Sequence, residues 1–122
     1  MLHRLFGGGQ PAPAAGAVTQ LSVADLQRKL AAREPIQLID VRSPEEFQFD
    51  GHVAGARLIP LPALSQRLAE IARDVPVALI CRSGNRSQVA AEMLIRQGYA
   101  DISNVQGGML AWRRAGLPTR YE

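Results

Sequence analysis

Two short hydrophobic runs dominate the pattern of the chain. IQLIDV at 36–41 and VPVALI at 75–80 are almost uninterrupted, contain β-branched residues and are bounded by proline and charged residues. Continuous apolar runs of this length are typical of strands buried on both faces of a sheet. Shorter strands are predicted near Val18, at 57–59 and at 101–105.

Between these strands, apolar residues recur at helical spacing. Val23, Leu26 and Leu30 share one face, and Ser22 before them is a suitable N-cap. The same criteria predict a helical turn from Pro44 through Phe47 and helices at 64–72, 87–97 and 108–115. Because strands alternate with helices throughout, we predict an α/β fold with a mostly parallel sheet and helices on both faces.

The length and composition are those of one globular domain. A chain of 122 residues can build one hydrophobic core but not two. The stretch GGGQPAPAAG has almost no apolar surface to bury. We therefore predict a flexible N-terminal lead-in at 1–16 and a single domain at 17–122.

Charge and cysteine content narrow the partners and the compartment. The net charge of +3 comes mostly from arginine, and no lysine-rich run is present. This balance favours small anions over nucleic acid as partners. A single cysteine excludes an internal disulfide, and no apolar segment suits a signal peptide or a membrane span. A cytoplasmic protein that binds neither nucleic acid nor membrane is expected.

The only cysteine, Cys81, ends one of the predicted buried strands and precedes a short loop into a helix. Ligands of parallel α/β sheets bind at the carboxyl ends of strands. The unpaired N–H groups of the helix start, together with those of the loop, could form a cradle for an anion. The helix dipole, Arg82 and Arg86 are expected to lower the pKa of the Cys81 thiol.

Three separated motifs resemble those of the rhodanese-like sulfurtransferases. They are LIDVRSPEEFQFDGHVAGARLIP (38–60), VALICRSGNRSQVAA (77–91) and NVQGGMLAWRRAGLP (104–118), and the resemblance extends over about residues 18–119. It implies a five-stranded parallel sheet sandwiched by helices. It also implies a double displacement, in which Cys81 takes sulfane sulfur from a small anion such as thiosulfate and holds it as a persulfide. A thiophilic acceptor, cyanide or a thiol, then receives the sulfur. A protein that carries a persulfide is a further candidate partner, and neither a metal nor an organic cofactor is implied.

On this basis each residue of the loop receives a role. Cys81 is the nucleophile and persulfide carrier, and the backbone of 82–86 forms the anion cradle. The side chains of Arg82 and Arg86 are expected to orient the substrate; the alternatives are that Arg82 faces water at the mouth of the pocket and that Arg86 is a solvated residue of the first helical turn. The remaining loop residues contribute mainly backbone groups; they are Ser83, Gly84, whose lack of a side chain eases the turn, and Asn85.

Four further residues near the predicted site are interpreted as structural. Asp40 and Arg42 follow a strand at the same edge of the sheet and suit an ion pair that braces the loop, with Glu46 in the same brace. His52 could form a dyad with the cysteine, but its glycine-rich turn favours a structural histidine.

Three other functions remain as alternatives. Cysteine phosphatases that share this fold carry five residues between cysteine and arginine, whereas four stand between Cys81 and Arg86, and Ser87 occupies the position of the phosphatase arginine. A non-catalytic binding module of the family typically loses the cysteine. A redox thiol would need a thiol from another molecule, because no second cysteine is present.

Overall fold

The computed structural model describes residues 16–122, which form five strands in the order β1-β5-β4-β2-β3. The strands are β1 (Thr19–Leu21), β2 (Gln37–Asp40), β3 (Arg57–Leu58), β4 (Val77–Ile80) and β5 (Ile102–Val105). All four pairings between them are parallel. The predicted fold class is therefore confirmed. The predicted lead-in at 1–16 lies, apart from Gly16, outside the described residues.

The first two helices of the described chain begin at serine residues whose side chains cap them. The α-helices are α1 (Val23–Ala31), α2 (Pro44–Phe49), α3 (Asn85–Arg96) and α4 (Gly108–Arg114). Ser22 caps α1 as predicted, because its Oγ accepts from the N–H of Asp25 at 3.0 Å. At α2, Ser43 and Glu46 form a reciprocal capping box in which each side chain bonds the backbone N–H of the other residue. This box fixes the direction in which Glu46 projects.

The predicted helix at 64–72 is wrong. The chain instead forms two 3-10 helices, Leu61–Gln66 and Leu68–Glu70, and leaves them in extended conformation at Ile71. The first follows Pro60 and contains Pro62, neither of which can donate a backbone hydrogen bond. The far end is held by Gln37, whose side chain bonds both the N–H and the carbonyl of Ala72 at 2.9 Å. These tertiary contacts outweigh the helical spacing of the apolar residues.

The sheet carries a hydrophobic core on each face. Alternate residues of β2 and β4 point to opposite sides, so that Ile39 and Leu79 join one cluster and Leu38 and Ile80 join the other. The first cluster includes buried residues of α3, and the second includes buried residues of α1 and α4. Within residues 16–122, no helix is both long and apolar enough to cross a membrane.

Candidate active site

Cys81 lies immediately after β4, the central strand of the sheet, and its side chain is buried. The loop that follows curls around its sulfur. Sγ accepts from the N–H of Gly84 at 3.1 Å, from the N–H of Ser87 at 3.3 Å and from the Ser87 hydroxyl at 3.2 Å. The sulfur therefore lies within a ring of donors formed by the loop and the first turn of α3.

The loop is held from behind by the start of α4. The carbonyls of Cys81 and Arg82 accept from the N–H groups of Met109 and Leu110 at 2.9 and 3.0 Å. Gly108 makes this approach possible, because a Cβ at that position would lie 2.5 Å from the carbonyl oxygen of Cys81. On the sulfur side, Gly84 has a φ of 103°, which a residue with a side chain rarely adopts.

Hydrogen bonds favour the thiolate form of Cys81. Burial alone would raise the pKa of the thiol, because it removes the charged form from water. The bonds from the Ser87 hydroxyl and from the N–H groups of Ser87, Gly84 and Ser83 outweigh it, and the pKa lies below its ordinary value. The sequence-based explanation named the helix dipole and two arginines; in the structure, the hydrogen bonds from Ser87 and the loop backbone lower this pKa, and the Arg86 charge also interacts with the thiolate.

Arg86, a predicted substrate-orienting residue, is already paired. Its two guanidinium nitrogens Nη1 and Nη2 bond the two carboxylate oxygens of Glu46 at 2.7 and 2.8 Å. The hydrogen bond from Arg86 is the main reason that the pKa of Glu46 falls to about 2. The Arg86 side chain is 40% exposed. A substrate anion at Arg86 would therefore share the guanidinium with Glu46 or displace it.

Asp40 and Arg42 form an ion pair that is shielded from water. Arg42 Nη2 and Nε bond the Asp40 carboxylate at 2.8 and 2.9 Å, and both side chains are at most 1% exposed. The guanidinium also donates to the carbonyls of Gly51 and Glu46. Glu46 therefore contacts the Asp40–Arg42 pair only through its backbone carbonyl. Its carboxylate, which was predicted to belong to this brace, instead binds Arg86.

His52 makes its contacts away from the cysteine. Its Nδ1 lies 2.8 Å from the carbonyl oxygen of Phe47, and its ring stacks on the Phe47 ring at 3.7 Å between centroids. Its backbone pairs with that of Arg120. Each of these contacts holds the turn after α2.

The other side chains of the loop face solvent. Arg82, Ser83 and Asn85 are exposed, whereas Gly84 is buried. Arg82 follows the cysteine directly in the loop, and its side chain is exposed to solvent. The backbone N–H of Ser83 helps to lower the pKa of the Cys81 thiol, and the side chains of Ser83 and Asn85 are exposed.

Sequence reasoning missed two buried polar residues at the site. Ser87 is fully buried and contacts the sulfur directly, and Asn104 on β5 accepts from the Ser87 hydroxyl at 2.6 Å. A usable signal existed for each. Ser87 comes directly after the loop in the first turn of a helix, and asparagine is depleted from strands unless its amide is satisfied.

The comparison with protein families agrees with this geometry. A family model described as "Rhodanese-like domain" matches residues 22–115. The chain belongs to this family. Among solved structures, the rhodanese-like domain is similar to a rhodanese-related protein from Thermoplasma volcanium, with 34% identity and a TM-score of 0.76. That match covers 85% of this chain and 99% of the other.

Two curated relatives are named as sulfurtransferases. A protein named "Sulfurtransferase" from Allochromatium vinosum is 38% identical to this chain. The match covers 83% of this chain and 94% of that protein. A protein named "Thiosulfate sulfurtransferase GlpE" from Pseudomonas aeruginosa is 33% identical over 75% of this chain and 82% of its own.

Proposed function

We propose that this rhodanese-like domain is a sulfurtransferase in which Cys81 carries the sulfur as a persulfide. The observation that carries the proposal is the ring of donors around Sγ, which favours a reactive thiolate. The names of the two relatives support sulfur transfer as the general activity. The specific reaction that we propose is the transfer of sulfur from thiosulfate, as donor, to cyanide or a thiol, as acceptor.

The reaction consists of two displacements. In the first, the Cys81 thiolate attacks the outer sulfur of thiosulfate, a sulfur–sulfur bond forms on Sγ, and the bond to the departing sulfite breaks with its electron pair. The cysteine then carries a terminal sulfur with a negative charge. In the second, cyanide attacks that terminal sulfur and leaves as thiocyanate, and the electron pair of the broken bond restores the thiolate.

The start of α3 offers further donors for the terminal sulfur. Asn85 and Arg86 are the first residues of this helix, so their N–H groups have no carbonyl acceptor within it. The same helix end carries partial positive charge, which stabilises an anion. We propose that these two N–H groups hold the persulfide, with Arg82 and Arg86 orienting the incoming anion.

The size of the ring favours sulfur over phosphorus. The N–H groups of Gly84 and Ser87 point at Sγ itself, 3.1 and 3.3 Å away. A phosphoryl group on the cysteine would present three oxygens around a wider centre than one sulfur atom. Four residues between Cys81 and Arg86 leave a short loop to surround them. The retained cysteine likewise argues against a binding module without catalysis.

The physiological setting is part of the proposal. A thiol with no second cysteine in its chain must stay reduced to act, so we propose a cytoplasmic location. The donor class is a small sulfur-containing anion, with a protein that carries a persulfide as the alternative.

Intact mass spectrometry after incubation with thiosulfate tests the proposal. We expect the protein to gain the mass of one sulfur atom and to lose it again after treatment with cyanide or a reductant. Cys81→Ser should gain none, whereas Ser83→Ala, which removes an exposed hydroxyl from the same loop, should load like the wild type. A wild-type protein that folds but never acquires the extra sulfur from thiosulfate, a polysulfide or a persulfide would refute the proposed function.

A further inference from the structure

Asn104 bridges the two groups that contact the Cys81 sulfur. Its side chain on β5 is 5% exposed. Nδ2 donates to the carbonyl of Gly84 at 3.3 Å and to Gln20 Oε1 at 3.0 Å, and Oδ1 accepts from the Ser87 hydroxyl at 2.6 Å. Because the Gly84 carbonyl can only accept, it fixes which end of the amide faces Ser87. Oδ1 is therefore an acceptor directed at the Ser87 hydroxyl.

The Ser87 hydroxyl has one hydrogen and two acceptors for it. Oδ1 of Asn104 lies 2.6 Å from Ser87 Oγ, and Sγ of Cys81 lies 3.2 Å from it. A hydroxyl donates one hydrogen bond, so only one of the two acceptors receives it at a time. A protonated Cys81 can itself donate to Oγ and leave the hydroxyl on Asn104. A thiolate can only accept, so it draws the hydrogen away from Asn104.

We propose that Asn104 is a positioning residue that competes with the Cys81 thiolate for the hydroxyl hydrogen of Ser87. The competition limits how strongly the site stabilises the thiolate. A thiolate that is held less firmly is a stronger nucleophile. The relevance of this competition to sulfur transfer rests on the function proposed above, whereas the competition itself does not.

The charged groups around the site are the same whether or not Asn104 is replaced. Arg86 is paired with Glu46 on α2, and Asp40 after β2 is paired with Arg42. Arg82 is exposed in the loop. The contacts of Asn104 on β1 and β5 are uncharged, because Gln20 is its only side-chain partner there among the described residues. Replacing Asn104 by a neutral residue therefore leaves the charges next to Cys81 unchanged.

The test is the pH dependence of Cys81 alkylation by iodoacetamide, which reads this thiol alone because the chain has no other cysteine. Ser87→Ala should raise the midpoint of the alkylation profile by roughly one pH unit, because it removes a donor to the thiolate. Asn104→Leu is close in size to the wild-type residue but cannot accept. It should lower the midpoint and also slow the alkylation rate at high pH, by about threefold for each unit of the shift.

The double variant Ser87→Ala/Asn104→Leu distinguishes competition for the Ser87 hydrogen from a purely structural role of Asn104. In the Ser87→Ala background, Asn104→Leu should produce no further lowering, because no hydroxyl hydrogen remains to compete for. Ser103→Ala, on the same strand but pointing to the other side of the sheet, is the matched control and should leave the profile unchanged. Thermal melting verifies that each variant folds, and Asn104→Ala replaces Asn104→Leu in the cycle if the leucine does not fit.

The outcomes distinguish the two proposals. A midpoint that rises in Asn104→Leu, or that shifts equally with and without the Ser87 hydroxyl, would overturn the competition and leave Asn104 as a support for Gly84. A wild-type protein that never takes up sulfur but gives the expected alkylation cycle would refute the proposed function and leave the competition standing.

Discussion

Glu46→Gln removes the charge that faces Arg86 while preserving the shape of the side chain. Glutamine can still accept from the N–H of Ser43, so the capping box of α2 loses little. What disappears is the charged part of the pair with Arg86, whose two bonds measure 2.7 and 2.8 Å. The variant therefore isolates the electrostatic contribution of Glu46.

The magnitude follows from the pKa of Glu46, which falls from 4.5 to about 2 in the folded protein. At about 1.4 kcal/mol per pKa unit, Glu46 can contribute at most about 3 kcal/mol to the free energy of unfolding. The Arg86 partner is 40% exposed, so solvent screening reduces the expected contribution to about 1–2 kcal/mol.

The pH dependence has a definite sign. Glu46 binds its proton more weakly in the folded protein than in the unfolded chain, so its contribution is complete above the unfolded pKa of 4.5. The contribution is lost as the pH falls through this value towards about 2. Wild type and Glu46→Gln should therefore differ in stability near neutral pH and converge at low pH.

Urea denaturation at a series of pH values measures the difference directly, and Glu45→Gln is the matched control on the same turn of α2. Glu45 is exposed, so its substitution should change the free energy of unfolding by less than about 0.5 kcal/mol. If Glu46→Gln is no less stable than Glu45→Gln at neutral pH, or if the two profiles do not converge in acid, the reasoning fails. In the same variant, Arg86 no longer faces a carboxylate, so the KM for thiosulfate should fall.

Three further predictions concern the brace, the packing and the specificity of the site. Asp40→Asn leaves the buried Arg42 charge without its partner, so urea denaturation should show a loss of about 3–5 kcal/mol; a loss below 1 kcal/mol would mean that water reaches the guanidinium. Gly108→Ala places a Cβ 2.5 Å from the Cys81 carbonyl oxygen, so the melting temperature and the rate of sulfur transfer should both fall, and an unchanged rate would show that the loop does not depend on α4. Hydrolysis of aryl phosphates should be negligible beside sulfur transfer, since one lost oxyanion donor alone costs about a hundredfold in rate. Robust phosphatase turnover that Cys81→Ser abolishes would contradict the argument from loop length.

The position of Cys81 could be predicted because it depends on local pattern. A buried strand, a short loop with one glycine and an amphipathic helix follow one another directly in sequence, and parallel sheets bind ligands where such strands end. The helical spacing at 64–72 gave a wrong prediction, because prolines and the distant side chain of Gln37 determine the backbone conformation of this segment. Local periodicity carries no information about such contacts.

The partners of the loop could not be predicted for a different reason. Glu46 and Arg86 are forty residues apart in sequence and meet only because α2 and α3 start at the same edge of the sheet. Asn104 reaches the loop because β5 lies beside β4. The sequence indicated the strands and helices, but neither its pattern nor the resemblance to a family predicted the strand order on which both contacts depend.

The hydrogen bonds from α4 to the loop orient the peptide groups around Cys81 before any substrate binds. The carbonyls of Cys81 and Arg82 are engaged by Met109 and Leu110, so the peptide groups beside the sulfur cannot rotate freely. Their dipoles are oriented when the chain folds and need not rearrange during the proposed transfer between sulfur atoms, which keeps the reorganisation energy of that transfer low. The amide hydrogens of Met109 and Leu110 should accordingly exchange with solvent only when the active-site loop itself opens, and the slowing of their exchange measures the free energy of that opening.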